Sequence, residues 1–203
     1  QVNEFYSDLK YNPDYTSVIN QKHYDRLNGL LTDAKDHGAE LVEINPANED
    51  FSQQESHKIP PTLVLNPTDE MQIMKEEIFG PLLPIKTYKD INEPINYINK
   101  NDKPLGLYYF GNNKNEEAKV VNSTTSGGVT VNDIMGHIQQ NELGFGGVGP
   151  SGMGKYDGFD GFMNFSNNKP IYKQIGFGLD KLLDAIRPPY KGSIEDVLKK
   201  LLK

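Results

Sequence analysis

Leu105-Gly106-Leu107-Tyr108-Tyr109-Phe110 is apolar almost throughout, and an uncharged run of this length reads as a strand buried on both faces. Working outward from it, apolar strand starts recur at Leu82, Leu105 and Gly128, 23 residues apart. Between the first two, Asp90-Ile91-Asn92-Glu93 has the form of a capping box, with Ile91, Ile95 and Ile98 on one helical face. Between the second pair, residues 113–123 read as a shorter helix. Strand, helix, strand, helix, strand at this cadence indicates a parallel sheet covered by helices. The expected fold class is therefore α/β, a three-layer core with a mostly parallel sheet flanked by helices, followed by a helical C-terminal tail.

Upstream of this core the text reads as helix, then strand. Leu27, Leu30, Leu31 and Ala34 fall at helical spacing, and Gly38 after His37 supplies a stop. Residues 41–44 and 62–65 read as strands, separated by a polar surface excursion over 46–58. Gln1-Val2-Asn3-Glu4-Phe5-Tyr6 reads like a helix interior, which predicts that the chain starts inside a longer protein. Downstream, residues 141–161 are dense in glycine, residues 162–172 read as one further strand, and the tail begins after Gly176-Phe177-Gly178. There Leu179, Leu182, Leu183 and Ile186 form one amphipathic helix, Arg187-Pro188-Pro189-Tyr190 stops it, and a second starts at Ser193. The expected division is residues 1–175 as the body and 176–203 as the tail.

The 203 residues are enough for a sizeable core, and 36% apolar with 24% charged residues describes a globular chain. A net charge of −7 argues against nucleic acid as a partner. With no cysteine in the chain, a disulfide framework, a thiolate metal site and a thiol nucleophile within it are all excluded. No apolar run reaches the ~20 residues of a membrane-spanning helix. The tail holds five basic and two acidic residues from Arg187 to Lys203. Packing on its own body or on another subunit ranks above a membrane surface for it, and the expected location is cytoplasmic.

Among candidate sites, Gly144-Phe145-Gly146-Gly147-Val148-Gly149 fits G-x-G-x-x-G. It follows polar residues, opens no long helix and is followed by Pro150, so a close-packed loop is the better reading than a dinucleotide turn. His23, His37, His57 and His137 show no metal-ligand spacing, and His137 reads as a hydrogen-bonded structural histidine before a catalytic one. Glu76-Glu77-Ile78-Phe79-Gly80-Pro81 is different in kind. Its two carboxylates beside a ring held at a rigid Gly-Pro turn suit a ligand that offers both hydroxyls and a flat heterocycle, such as a nicotinamide riboside.

That hexapeptide resembles the E-E-I-F-G-P motif of the aldehyde dehydrogenase superfamily. Lys103-Pro104-Leu105-Gly106-Leu107-Tyr108 resembles its K-P-L-A-L-Y segment. Ser126-Gly127-Gly128-Val129-Thr130-Val131-Asn132-Asp133 resembles the S-G-G-V-x-x-N-D segment of the class 3 branch. Phe145-Gly146-Gly147-Val148-Gly149-Pro150-Ser151-Gly152-Met153-Gly154 resembles that branch's F-G-G-V-G-x-S-G-M-G loop. The matches run in order over residues 18–165. Arg187-Pro188-Pro189-Tyr190 is similar to a tail of class 3 and coniferyl-aldehyde-type members. Gly144 stands where a proline is usual and Asp157 where some class 3 members carry histidine, so no role is transferred to either.

The resemblance implies oxidation of an aldehyde to a carboxylic acid with NAD or NADP, through attack by a cysteine thiolate and hydrolysis of a thioester by glutamate-activated water. It implies that residues 1–175 are the C-terminal part of the catalytic domain. The catalytic cysteine and glutamate, and most of the dinucleotide site, would then lie in the missing N-terminal half, leaving this chain inert alone. It implies that Glu77 binds the nicotinamide ribose hydroxyls, that Phe79 packs by the nicotinamide ring, and that Ile138 lines the aldehyde tunnel. A homodimer is the assembly it implies. The rival reading is a non-enzymatic α/β binding or assembly module.

Overall fold

The computed structural model describes residues 1–174, 188 and 194–202. The tail helix predicted over 179–186, the stop apart from Pro188, and the Ser193 cap lie outside these residues. The chain groups into two compact units, Gln1–Tyr97 and Ile98–Lys203.

The first unit opens with one helical turn, α1 (Val2–Phe5), and a long helix, α2 (Gln21–Asp36). Asn20 starts α2 by accepting from the His23 amide at 3.0 Å, the side-chain capping a helix N-terminus requires. Gly38, at φ 87°, ends it where the sequence predicts. Three strands follow, β1 (Glu40–Glu43), β2 (Thr62–Leu65) and β3 (Leu82–Ile85), in sheet order β1-β2-β3. The β2–β3 pair is parallel and starts at Thr62 opposite Leu82, while β1 lies antiparallel at the edge. The apolar stripe of α2 supplies Leu27, Leu30 and Ala34 to a core shared with Ile59, Val64, Met71, Ile73 and Leu82.

Residues 46–58 are more than an excursion. Glu49 accepts from the Leu9 and Lys10 amides at 2.6 and 3.0 Å, and the buried Lys58 ammonium donates to the Leu9 and Asn12 carbonyls at 3.2 and 2.6 Å. These bonds tie the stretch before α2 to the sheet layer. Nothing local in the sequence announces them, because the partners are about forty residues or more apart.

The capping box at Asp90 forms. Glu93 accepts from the Asp90 amide at 3.2 Å and Asp90 from the Asn92 amide at 2.7 Å, starting α3 (Asn92–Lys100) with Ile95 buried. In the second unit β4 (Gly106–Tyr109) and β5 (Gly128–Val131) form a two-stranded parallel ladder, joined by α4 (Lys114–Ser123), which Asn113 caps. The 23-residue cadence thus yields parallel pairs as expected, divided between a three-stranded and a two-stranded sheet.

Two expectations fail in this unit. Residues 162–172 make no strand; α5 (Gly158–Asn164) occupies the start of that stretch, with Phe159 and Phe162 stacked one turn apart at 6.3 Å. Gly158 and Gly161 hide that period, since glycine weakens a helix reading. The strand at 105–110 is not buried on both faces either, since Tyr108 is 38% and Phe110 63% exposed. Among the described residues of this unit, Tyr109 and Val120 are the buried apolar side chains, whereas Met153, Phe159, Phe162 and Phe165 stand open. The short last helix, α6 (Ile194–Leu201), carries acidic residues in its first turn and lysines in its last, matching its dipole. No helix of the described residues is long and apolar enough to cross a membrane.

Candidate cofactor-facing turn

The turn over residues 76–81 is seated by α2 and β2. A single helical turn (Gln72–Met74) leads into it, its first amide donating to Asp33 of α2 at 2.8 Å. Arg26 of α2 then donates from Nη1 to the Glu77 carbonyl at 3.1 Å and from Nη2 to the Ile78 carbonyl at 2.5 Å, with Nη1 3.7 Å from the Glu76 carboxylate. One residue along α2, Leu27 lies under Gly80, where an added Cβ would stand 2.5 Å from a Leu27 methyl. Pro81 closes the turn by accepting from the Thr62 amide of β2 at 2.9 Å.

Held this way, Phe79 takes a left-handed backbone at φ 47° with its side chain 80% exposed. A bulky residue avoids that region, and a strain of roughly 1–3 kcal/mol persists only where neighbours over-determine it. The Glu77 carboxylate is exposed and has no protein partner among the described residues. An open ring beside an uncommitted acceptor is the arrangement that a riboside bearing a flat base would fit.

Phe79 and Pro81 line a cleft of about 360 Å³ with Tyr6, Tyr15, Ile19 and His23. Sequence reading singled out neither tyrosine; they meet edge to face at 5.4 Å. Tyr15 donates to the Ile59 carbonyl at 2.6 Å, and burial, followed by the neighbouring Tyr6, pushes its pKa up to about 12. The sign follows. Folding favours the neutral phenol, so its contribution to stability is intact below the ordinary value of 10 and is lost as pH rises through about 12. Alkaline melting curves of the wild type and of Tyr15→Phe are therefore expected to differ at neutral pH and to converge above pH 10. Parallel curves up to pH 12 would contradict the burial of this hydroxyl.

Ile138 belongs to the second unit, where it is half-buried in the loop after β5. Its amide donates to the Met135 carbonyl at 3.0 Å. The residue before it, His137, anchors that loop. Its amide and Nδ1 both meet Thr130 Oγ1, at 3.2 and 2.6 Å, and its ring lies 6.0 Å from both Tyr108 and Phe145. His137 is buried with Nδ1 committed to Thr130, while its buried Nε2 meets no hydrogen-bond partner among the described residues. Phe145 in turn bridges antiparallel to Tyr156, and the glycine-rich segment leads into a single 3-10 turn (Gly149–Ser151) and not directly into the α-helix that a dinucleotide turn opens. No group of three His, Asp or Glu residues able to hold a metal occurs among the described residues.

The profile described as "Aldehyde dehydrogenase family" matches residues 4–171. A probable coniferyl aldehyde dehydrogenase of Caulobacter vibrioides is 51% identical over 97% of this chain and 40% of its own length. The coniferyl aldehyde dehydrogenase of a Pseudomonas species is 48% identical over 99% of this chain and 41% of its own. The substrate-bound structure of Staphylococcus aureus AldH superposes with a TM-score of 0.71 at 36% identity, covering all of this chain and 42% of that one. The chain spans about 40% of the length of the curated relatives it matches. From the ordered motifs, the seated turn and the match over residues 4–171, this chain belongs to the aldehyde dehydrogenase family.

Proposed function

We propose that the protein carrying this chain oxidises aldehydes to carboxylic acids with NAD or NADP, and that this chain forms the wall against the reactive end of the dinucleotide. The observation that carries the reading is Phe79, exposed at a left-handed φ beside the uncommitted Glu77 carboxylate on a turn fixed by α2 and β2. Glu77 accepts hydrogen bonds from the ribose hydroxyls, and the Phe79 ring covers one face of the nicotinamide and limits its rotation. When bound, the nicotinamide supplies the acceptor for the hydride that leaves the aldehyde carbon. The thiol nucleophile and the base for water are supplied from outside this chain, which has no cysteine. Ile138 contributes to the channel for the aldehyde, and the names of the two relatives above direct the substrate choice to coniferyl-type aromatic aldehydes. The working assembly is a homodimer.

The test uses the whole protein and the isolated chain side by side. The whole protein is expected to convert coniferyl aldehyde and NAD or NADP to acid and reduced dinucleotide in equal amounts, and the chain alone to give none. Glu77→Gln should raise the dinucleotide KM about tenfold, the loss of roughly 1.4 kcal/mol expected for one good hydrogen bond, with a smaller change in the aldehyde KM. Failure of the whole protein on aromatic and aliphatic aldehydes alike would overturn the reading.

A further inference from the structure

We propose that Arg26 is the positioning residue of the dinucleotide site: it never touches the ligand but fixes the backbone that presents Glu77 and Phe79. The inference rests on the reading of that turn given above. The Glu77 and Ile78 carbonyls lie in neither a helix nor a ladder, and among the described residues no backbone amide reaches either of them. A pair of adjacent carbonyls left half in solvent can rotate, and each rotation carries the Glu77 carboxylate and the Phe79 ring with it. The guanidinium of Arg26 meets both, one nitrogen on each, at 3.1 and 2.5 Å. Its planar fork sets the angle between them as well as their distance. The Glu76 carboxylate, 3.7 Å from Nη1, completes the seat and leaves Glu77 as the free acid of the pair.

The strain at Phe79 makes the clamp necessary. A left-handed aromatic residue relaxes to an ordinary conformation once its flanks are released. Downstream, Gly80 lies over Leu27 and Pro81 is held by β2; upstream, the Glu76 amide donates to the Gln72 carbonyl at 3.1 Å and the Ile78 side chain packs on the core, and Arg26 is the side chain that fixes the carbonyls of residues 77 and 78. Lysine in its place offers a point charge that can satisfy one carbonyl without orienting the other. The salt bridge to Glu76 is half-exposed and contributes little by itself. The function of Arg26 therefore lies in the two carbonyl bonds.

The experiment places 4-fluorophenylalanine at position 79 of the whole protein without dinucleotide and records its fluorine spectrum. One narrow line is expected for the wild type, several or a broad line for Arg26→Ala, and an intermediate result for Arg26→Lys. Reduced dinucleotide, followed by its own fluorescence, should bind about tenfold more weakly to Arg26→Ala and to Glu77→Gln, while the double variant loses clearly less than the two losses multiplied, because the Glu77 contribution can be lost only once. An unchanged fluorine line in Arg26→Ala, or losses that multiply in the double variant, would overturn the proposal. If the line splits but Glu77→Gln leaves affinity untouched, the clamp stands and the assignment of Glu77 to the ribose falls. Should Arg26→Ala not fold, Arg26→Lys carries the same comparison.

Discussion

Gly80→Ala is expected to destabilise the first unit by about 1–3 kcal/mol and, in the whole protein, to weaken dinucleotide binding by an order of magnitude or more. The new Cβ would stand 2.5 and 2.7 Å from the two methyl carbons of Leu27. Ordinarily a leucine tip moves aside at little cost. Leu27 has nowhere to go, because it is fully buried in the core beside Leu30, Val64 and Ile73. Either the core is overpacked or the turn lifts away from α2, and the second response draws the Glu77 and Ile78 carbonyls off Arg26. Loss of binding that exceeds the loss of stability identifies the lifted turn. The pair with Leu27→Ala is diagnostic. Leu27→Ala alone leaves a cavity costing about 2–5 kcal/mol, and the Gly80 methyl should fill part of it, so the double variant is expected to be more stable than the sum of the two changes. Additive melting data would show that the two residues do not share the space.

The contrast between what could be read in advance and what could not follows the range of the interactions. β2 was legible to the residue because Leu63, Val64 and Leu65 follow Thr62 between flanking prolines, and α2 ended where Gly38 allows a left-handed exit. The α4 and α3 starts were legible from Asn113 and from the Asp90–Glu93 pair, since a cap is written within four residues of the helix it begins. α5 was lost because its apolar faces are phenylalanines separated by glycines, and a period of three is not visible over seven residues. Glu77 and Phe79 could be nominated from a motif. Arg26 could not, since the bonds that give it a role cross 51 and 52 residues of sequence. The same holds for Lys58 and Glu49, which looked like ordinary surface charges and serve as anchors for the stretch before α2.

The exposed strand β4 carries a related lesson. Its sequence is that of a buried strand, yet in this chain Tyr108 and Phe110 meet solvent. Sequence records the burial a segment was selected for, and the structure of one chain records only what that chain can supply. Phe159, Phe162 and Phe165 beyond the close-packed loop show the same mismatch. Their exposure accords with the proposal that this chain works as part of a larger protein.

Gly128→Ala should act on the other unit with an effect of similar size, about 1–3 kcal/mol, and should reach the aldehyde side of the reaction and not the dinucleotide side. Gly128 opens β5 opposite Gly106 of β4, so two residues without side chains face each other across the ladder. The His137 ring occupies the space this leaves. A methyl at 128 would stand 2.4 Å from its Cδ2 and 2.9 Å from its Nε2. The ring cannot tilt freely, because Thr130 holds its Nδ1 and the Tyr108 and Phe145 rings lie 6.0 Å away. The displaced histidine must therefore carry its loop with it, and Ile138 is the next residue. In the whole protein the aldehyde KM is expected to rise several-fold and the preference among aldehydes of different bulk to change, with dinucleotide affinity unaltered. His137→Ala removes the obstacle at the cost of the ring bond to Thr130, while the backbone amide bond to Thr130 is kept, so combining it with Gly128→Ala should cost less than the two changes summed. If Gly128→Ala left aldehyde selectivity intact while lowering the melting temperature, His137 would be a core histidine without a hold on Ile138, and the channel would have to be sought on another loop.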